Sequence, residues 1–303
     1  HIYGSAWFSN NSKGMADLGT IVQKLLDNGY AVVTPNHRSS ADAKFPAQIN
    51  DIKAAIRFVR AHADEYKLDP TFVATSGFSS GGHLSSLAAT SGGVRQLEGT
   101  VGECLEFSSR VNAACDWSGP IDMFKMNCDE PRKWGGTPEE ALVGHDYEEQ
   151  YEQQFRAISP LTYLDPSDPP LIVFHGQKDN VVPFCQGVEL YDEINKLGIR
   201  TELHLEPEGG HGFNMYTDAN LNAMVDFLNA AYNESRIKED FVPSSFNQPG
   251  QDYPMVNSQG YARFRVHLPE AKSVVVTLGL GGRGGTALKK GADGYWWGTT
   301  ATP

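Results

Sequence analysis

The stretch TFVATSGFSSGGHLSSLAA, Thr71–Ala89, decides the fold. Thr71 to Thr75 is a short β-branched and aromatic run of strand type. Gly77-Phe78-Ser79-Ser80-Gly81 follows, then Gly82 and an Ala/Leu/Ser segment that reads as a helix. Strand, Gly-x-Ser-x-Gly, helix is the setting of a nucleophile turn. Only glycine lets strand and helix pass that closely, so Gly77 and Gly81 flank a serine at a tight corner. The Ser79 hydroxyl is then expected above the sheet at a helix N-terminus, where the helix dipole favours developing negative charge. In a chain with 31 glycines the bare pattern also arises by chance. The strand before it and the helix after it distinguish the two readings.

On the N-terminal side, Met15, Leu18, Ile21, Val22, Leu25 and Leu26 have helical spacing within Lys13–Asn28, and Gly29 stands where a helix C′ glycine belongs. Tyr30–Thr34 reads as a buried strand. Ile49, Ile52, Ala55, Ile56 and Val59 predict an amphipathic helix within Phe45–Tyr66. Arg38 is expected in a structural ion pair.

On the C-terminal side, Val111–Cys115 is a short apolar strand. Met123–Pro166, with a helix across Tyr147–Ala157, interrupts the alternation and reads as an insertion over the C-terminal edge of the sheet. Strand Leu171–Phe174, a helix over Pro183–Leu197, strand Thr201–Leu205 and a helix over Leu221–Tyr232 complete the pattern. The alternation predicts an α/β fold, a mostly parallel central sheet with helices on both faces.

Three candidate residues each follow a strand and so fall at one edge of that sheet: Ser79, Asp179 in His175-Gly-Gln-Lys-Asp179, and His211 in the glycine-framed Glu208-Gly-Gly-His211-Gly. A serine hydroxyl is a poor nucleophile at neutral pH. His211 would take its proton and return it to the leaving alcohol, while Asp179 fixes the tautomer and stabilises the imidazolium. Asp116, after the preceding strand, is the rival to Asp179. Asp168 lies before its strand, on the wrong side. His175 is expected to pack or bond locally, and His83 falls inside the helix after the serine. The opening segment His1-Ile2-Tyr3-Gly4-Ser5-Ala6-Trp7 reads as a strand end turning into a small-residue loop. The backbone N–H groups of Ser5, Ala6 and Ser80 are the candidate oxyanion donors. Trp7, Trp117, Trp134 and Phe213 are candidate substrate contacts, with core packing as the competing reading for Trp117 and Trp134.

The chain has 303 residues, 40% of them hydrophobic, enough for a large core. Its formal net charge is −12 and no Lys/Arg run appears, which argues against a nucleic-acid partner. No apolar run approaches the roughly 18 residues of a membrane span. The four cysteines, Cys104, Cys115, Cys128 and Cys185, show no CxxC spacing, so no metal site is expected. Four cysteines allow three pairings, and the sequence does not choose among them. Cys115, in an apolar run, reads as a buried free thiol.

The chain order serine, aspartate, histidine is that of the α/β-hydrolases. The carriers Gly4-Ser5-Ala6-Trp7, Phe45-Pro46-Ala47-Gln48, Gly77-Phe78-Ser79-Ser80-Gly81-Gly82-His83, Asp116-Trp117-Ser118-Gly119-Pro120, His175-Gly176-Gln177-Lys178-Asp179 and Gly210-His211-Gly212-Phe213 resemble an α/β-hydrolase of the carbohydrate-esterase and feruloyl-esterase type. This bacterial group is related to acetyl esterases of the hormone-sensitive-lipase kind and to dienelactone hydrolases. The resemblance covers about 1–233. It implies a serine carboxylesterase that removes acetyl or feruloyl groups from xylan, with no cofactor and a small-molecule or polysaccharide ester as substrate. Tyr3-Gly4-Ser5-Ala6 departs from the His-Gly-Gly-Gly found there in many relatives. A prolyl-oligopeptidase-like serine peptidase and a catalytically silent carbohydrate-binding protein are the alternatives.

Residues 234–258 are polar and rich in Pro, Ser, Asn and Gln, and read as a linker. Tyr261–Pro269 alternates at period two; Ser273–Leu278 and Asp293–Gly298 are further strands. This tail, 259–303, is similar to the start of an immunoglobulin-like, starch-binding-type module and is expected to be incomplete. A two-module polysaccharide esterase implies export to the periplasm or medium. The chain opens inside a strand-to-loop motif without an initiator Met or a signal segment, so the first strands of the hydrolase are expected to lie outside it.

Overall fold

The computed structural model describes residues 1–277, 285–291 and 293–300. Two compact units divide the chain, His1–Ala231 and Tyr232–Pro303.

The first unit is built on four parallel strands in sequential order: β1 (Ala74–Phe78), β2 (Ala113–Trp117), β3 (Leu171–Gly176) and β4 (Thr201–Glu206). Ile2 adds a parallel bridge to Gly77 on the far side of β1. Strand side chains alternate between faces, so each strand feeds two cores. Ala114, Leu171 and Val173 meet the helices Ala47–Ala61, Ser80–Thr90 and Cys185–Lys196 on one face. Ala113, Cys115, Trp117, Ile172 and Phe174 meet Ile21, Leu25 and the helix Asp218–Ser235 on the other. β2 and β3 are buried along their whole length between helical layers, Asp116 and His175 included.

Several elements differ from expectation. β1 runs three residues further than the apolar run suggests, into the glycine motif, because Ile2 and Trp117 supply its ladder partners there. Tyr30–Thr34 is neither a strand nor buried; Val33 is 45% exposed. A β-branched run becomes a strand only beside a partner. Here the run meets the opening segment through one hydrogen bond, from the His1 ammonium to the Val33 carbonyl at 2.7 Å, while Ile2 turns its own backbone to Ser76 and Phe78 of β1. The Lys13–Asn28 segment is helical in three pieces, 3₁₀, π and α, ending at Gly29 with φ 83°. In the insertion the helix is Glu152–Ala157, preceded by a 3₁₀ turn, and a second helix, Pro138–Val143, starts from a Thr137/Glu140 capping box.

The second unit is one antiparallel sheet of β5 (Val242–Pro243), β6 (Met255–Val256), β7 (Ala262–His267), β8 (Val274–Val276), β9 (Thr286–Lys290) and β10 (Tyr295–Thr299), in the order β5-β6-β7-β10-β9-β8. The stretch read as a linker supplies β5 and β6. Leu288 and Trp296 are the buried side chains of this sheet among the described residues. Leu278, the expected end of the second strand, lies outside the described residues.

Candidate active site

In a parallel sheet all C-terminal strand ends share one edge, so loops after β1, β3 and β4 meet there. Ser79 sits directly after β1 with φ 56° and ψ −124°, a conformation that costs an L-residue on the order of 1–3 kcal/mol. The corner is locked by Ser79 N–H to the Trp117 carbonyl at 2.8 Å and by His83 N–H to the Ser79 carbonyl at 3.0 Å. A Cβ on Gly77 would lie 2.1 Å from the Gly81 carbonyl oxygen, and one on Gly81 would lie 2.1 Å from that of Ile2. Backbone thus occupies the space where any side chain would begin.

The acid and histidine loops are stitched together before their side chains meet. Gln177 N–H donates to the Glu206 carbonyl, and Lys178 N–H to that of Gly209. Gly176 again has no room: its Cβ would stand 2.3 Å from the Gly209 oxygen. The result brings Ser79, His211 and Asp179 into one chain of hydrogen bonds. Ser79 Oγ is 2.9 Å from His211 Nε2, and His211 Nδ1 is 2.8 Å from Asp179 Oδ2. The other oxygen, Oδ1, accepts from the Val181 and Val182 amides, each at 2.9 Å. Burial pushes Asp179 up, but His211 and the two amides more than offset it and hold the carboxyl below its ordinary range. An ionised carboxylate only accepts, so Nδ1 carries the hydrogen and Nε2 faces Ser79 as an acceptor. Phe78 packs against the imidazole, ring centroids 4.8 Å apart.

The rivals go elsewhere. Asp116 is fully buried under the helix Ser80–Thr90, where it accepts from Ser86 Oγ at 2.6 Å and Gly119 N–H at 2.7 Å. Burial raises its pKa to about 6. Asp168, before β3, is likewise raised by burial, to about 7, and accepts from the Asp165 amide. His83 is buried and held near 4, with Nε2 donating to the Ile158 carbonyl. Arg38 pairs with Asp51 through three side-chain contacts of 2.7, 3.0 and 3.1 Å.

The predicted donors and contacts divide. Ser5 N–H is committed to Ser80 Oγ at 2.9 Å, so of the three amides Ala6 and Ser80 remain as candidate oxyanion donors. Ala6 and Trp7 both have positive φ, 49° and 60°, which turns this loop sharply over Gly4. Two of the four aromatic contacts are corrected. Trp7 is 1% exposed, its Nε1–H donating to His83 Nδ1; Trp117 is 0% exposed and stacked on Phe174. Both are core and cannot touch a substrate. Trp134 packs among Phe124, Tyr147 and Phe155 of the insertion. Phe213, two residues past His211, is 74% exposed and available.

A disulfide between Cys128 and Cys185 ties the insertion to the helix that follows the acid loop, while Cys115 is a buried free thiol. Gln186 strengthens that tie: its Nε2–H donates to the Lys125 carbonyl at 2.9 Å, and its Oε1 accepts from the Ile121 and Asp122 amides just before the insertion. Among the described residues no cluster of metal-ligating side chains is found, and no helix is long and apolar enough to cross a membrane.

The BD-FAE family profile matches residues 1–194. An endo-1,4-beta-xylanase/feruloyl esterase of Xylanibacter ruminicola is 59% identical over 90 residues, 30% of this chain and 12% of that protein. A solved bifunctional GH43-CE protein of Bacteroides eggerthii shares 46% identity with a TM-score of 0.72, covering 76% of this chain and 31% of the other. A truncated carbohydrate esterase from gut microbiota shares 41% with a TM-score of 0.73, covering 76% and 84%. The chain spans less than a third of the length of the first two relatives. The sheet, the glycine-flanked corner and the order of the three loops agree with these likenesses: an α/β-hydrolase fold, in a chain that belongs to the BD-FAE family.

Proposed function

We propose that this protein is a serine carboxylesterase that cleaves acetyl or feruloyl esters on xylan through an acyl-enzyme. The observation that carries the reading is the hydrogen-bond chain from Ser79 Oγ through His211 to a buried, ionised Asp179. Ser79 Oγ attacks the ester carbonyl as His211 Nε2 takes its proton. The Ala6 and Ser80 amides hold the oxyanion, a contribution of about 3–4 kcal/mol per donor in other hydrolases. The intermediate collapses, His211 returns the proton to the leaving sugar hydroxyl, and the acyl group stays on Ser79. Water then repeats the cycle and releases the acid. Likeness to a xylanase/feruloyl esterase supports xylan as the substrate class.

In this reading residues 1–233 carry the chemistry and the antiparallel unit is an accessory module of a polysaccharide-degrading protein. The Cys128–Cys185 disulfide fits export, since such bonds persist in oxidising compartments. Rates on p-nitrophenyl acetate and methyl ferulate, and acid release from acetylated and feruloylated xylan, test the function in wild type and Ser79→Ala. Wild type is expected to release acid and the variant to lose roughly 10⁴–10⁶-fold in kcat. Equal rates in the two proteins contradict the reading.

A further inference from the structure

His175 stands near the end of β3 and is wholly buried, 0% exposed. Its Nε2 is 2.8 Å from the Val182 carbonyl oxygen and 3.7 Å from Asp179 Oδ2. A carbonyl only accepts, so Nε2 carries the hydrogen and Nδ1 is bare. That Nδ1 has no hydrogen-bond partner. The helix Cys185–Lys196 closes over it: a Cβ on Gly187 would lie 2.8 Å from Nδ1. Burial lowers the ring's pKa and keeps it neutral, against the pull of Asp179. A phenylalanine would fill this slot without stranding an acceptor. What the histidine supplies is its Nε2–H, and that hydrogen goes to Val182.

Val182 is the residue whose backbone grips the carboxylate. Its N–H and that of Val181 donate to Asp179 Oδ1, while its carbonyl accepts from His175. The Val182 side chain is buried while Val181 is 59% exposed, so packing grips one residue of the turn and leaves the direction of its backbone to hydrogen bonds. With Nε2–H anchoring one end of the Val182 residue and Asp179 the other, the direction of both amides is fixed. We infer that His175 is a positioning residue: it holds the Asp179–Val182 turn so that the carboxylate is aimed at His211. This rests on the triad reading above. The role is indirect, since His175 touches neither Ser79 nor any group a substrate could reach.

The test uses wild type, His175→Phe and His175→Gln. Exhaustive labelling with a fluorophosphonate counts the competent Ser79 sites in each, and kcat and KM for p-nitrophenyl acetate are expressed per labelled site. His175→Phe is expected to lose about tenfold or more in kcat, with KM within about twofold, because a misaimed acid weakens the transition state more than substrate binding. His175→Gln retains an amide donor and is expected to recover most of that loss. A role in packing alone would lower the labelled fraction or the melting temperature and leave kcat per site unchanged; that result overturns the inference. Equal kcat losses in both variants overturn it too, since the donor would then be irrelevant. Should His175→Phe not fold, His175→Leu makes the same comparison with a smaller side chain. Absence of labelling at Ser79 in wild type would instead overturn the triad reading itself.

Discussion

Asp116, within β2, and Asp179, on the loop after β3, both lie at the C-terminal edge of the same sheet, and neither has a Lys or Arg partner among the described residues. Their surroundings set them apart. Asp116 sees one hydroxyl and one amide in a sealed space and is raised to about 6. Asp179 receives two amides and an imidazole N–H and is held below the ordinary carboxylate range. A place at the sheet's C-terminal edge therefore does not make an acid; the number and direction of donors do. Burial works in the same sense on both, and hydrogen bonding decides which is raised and which is lowered.

The comparison breaks most visibly in kinetics. Asp179→Asn is expected to lower kcat by about 10⁴-fold, because the amide no longer selects the Nδ1–H tautomer of His211. Asp116→Asn is expected to leave kcat within a few-fold, Ser86 reversing its hydroxyl to accept. Steady-state rates on p-nitrophenyl acetate check both, and a larger loss in Asp116→Asn than in Asp179→Asn would reverse the assignment.

Downstream of each aspartate, Cys128–Cys185 closes a separation of 57 residues between the insertion and the helix after the acid loop. Loop entropy gives such a link about 4 kcal/mol. Cys128→Ala with Cys185→Ala is expected to lose roughly 2–4 kcal/mol in urea unfolding, while kcat at a temperature where the variant is folded changes little. An unchanged midpoint would mean that the insertion is held by Gln186 and its packing alone.

Linkage to pH separates the two acids with opposite signs. Asp116 has a raised folded pKa, so its cost is absent below its ordinary 3.8, grows between about pH 4 and 6, and is constant above. A rise to about 6 corresponds to about 3 kcal/mol at neutral pH. Asp179 has a lowered folded pKa; its contribution is present above the ordinary carboxylate value and is lost as pH falls through the lower folded one. Unfolding free energies of Asp116→Asn and wild type should therefore diverge in favour of the variant as pH rises from 4 to 7. A constant difference would show that Asp116 does not titrate in this window. The smallest effect belongs to the third loop. Phe213→Ala removes an exposed ring and is expected to raise KM for methyl ferulate a few-fold, with stability within about 0.5 kcal/mol.

Much of the edge was legible in the sequence because it depends on local rules. Gly77 and Gly81 are needed at contacts of 2.1 Å, and a Gly-x-Ser-x-Gly turn announces that need in its own spelling. Alternating helix and strand put Ser79, Asp179 and His211 at one edge without any knowledge of distances. What could not be read depended on partners far away in the chain. Tyr30–Thr34 has strand composition, yet its contact with the opening segment is one hydrogen bond at Val33 rather than a ladder. Trp7 and Trp117 look like exposed binding aromatics beside the motifs, yet period-two alternation points Trp117 into the core with Phe174, and His83 captures Trp7. Ser5 was a plausible donor until Ser80 Oγ claimed its amide. The cysteine pairing and the raised pKa of Asp116 follow from packing across elements, and no spacing in the sequence records them.

The most direct measurement is mass spectrometry of the protein after reaction with a fluorophosphonate, read alongside Asp179→Asn and Asp116→Asn. The account predicts one adduct, on Ser79, formed rapidly in wild type and in Asp116→Asn and at least a hundredfold more slowly in Asp179→Asn. An adduct on another residue, or equal labelling rates in the two aspartate variants, would contradict it.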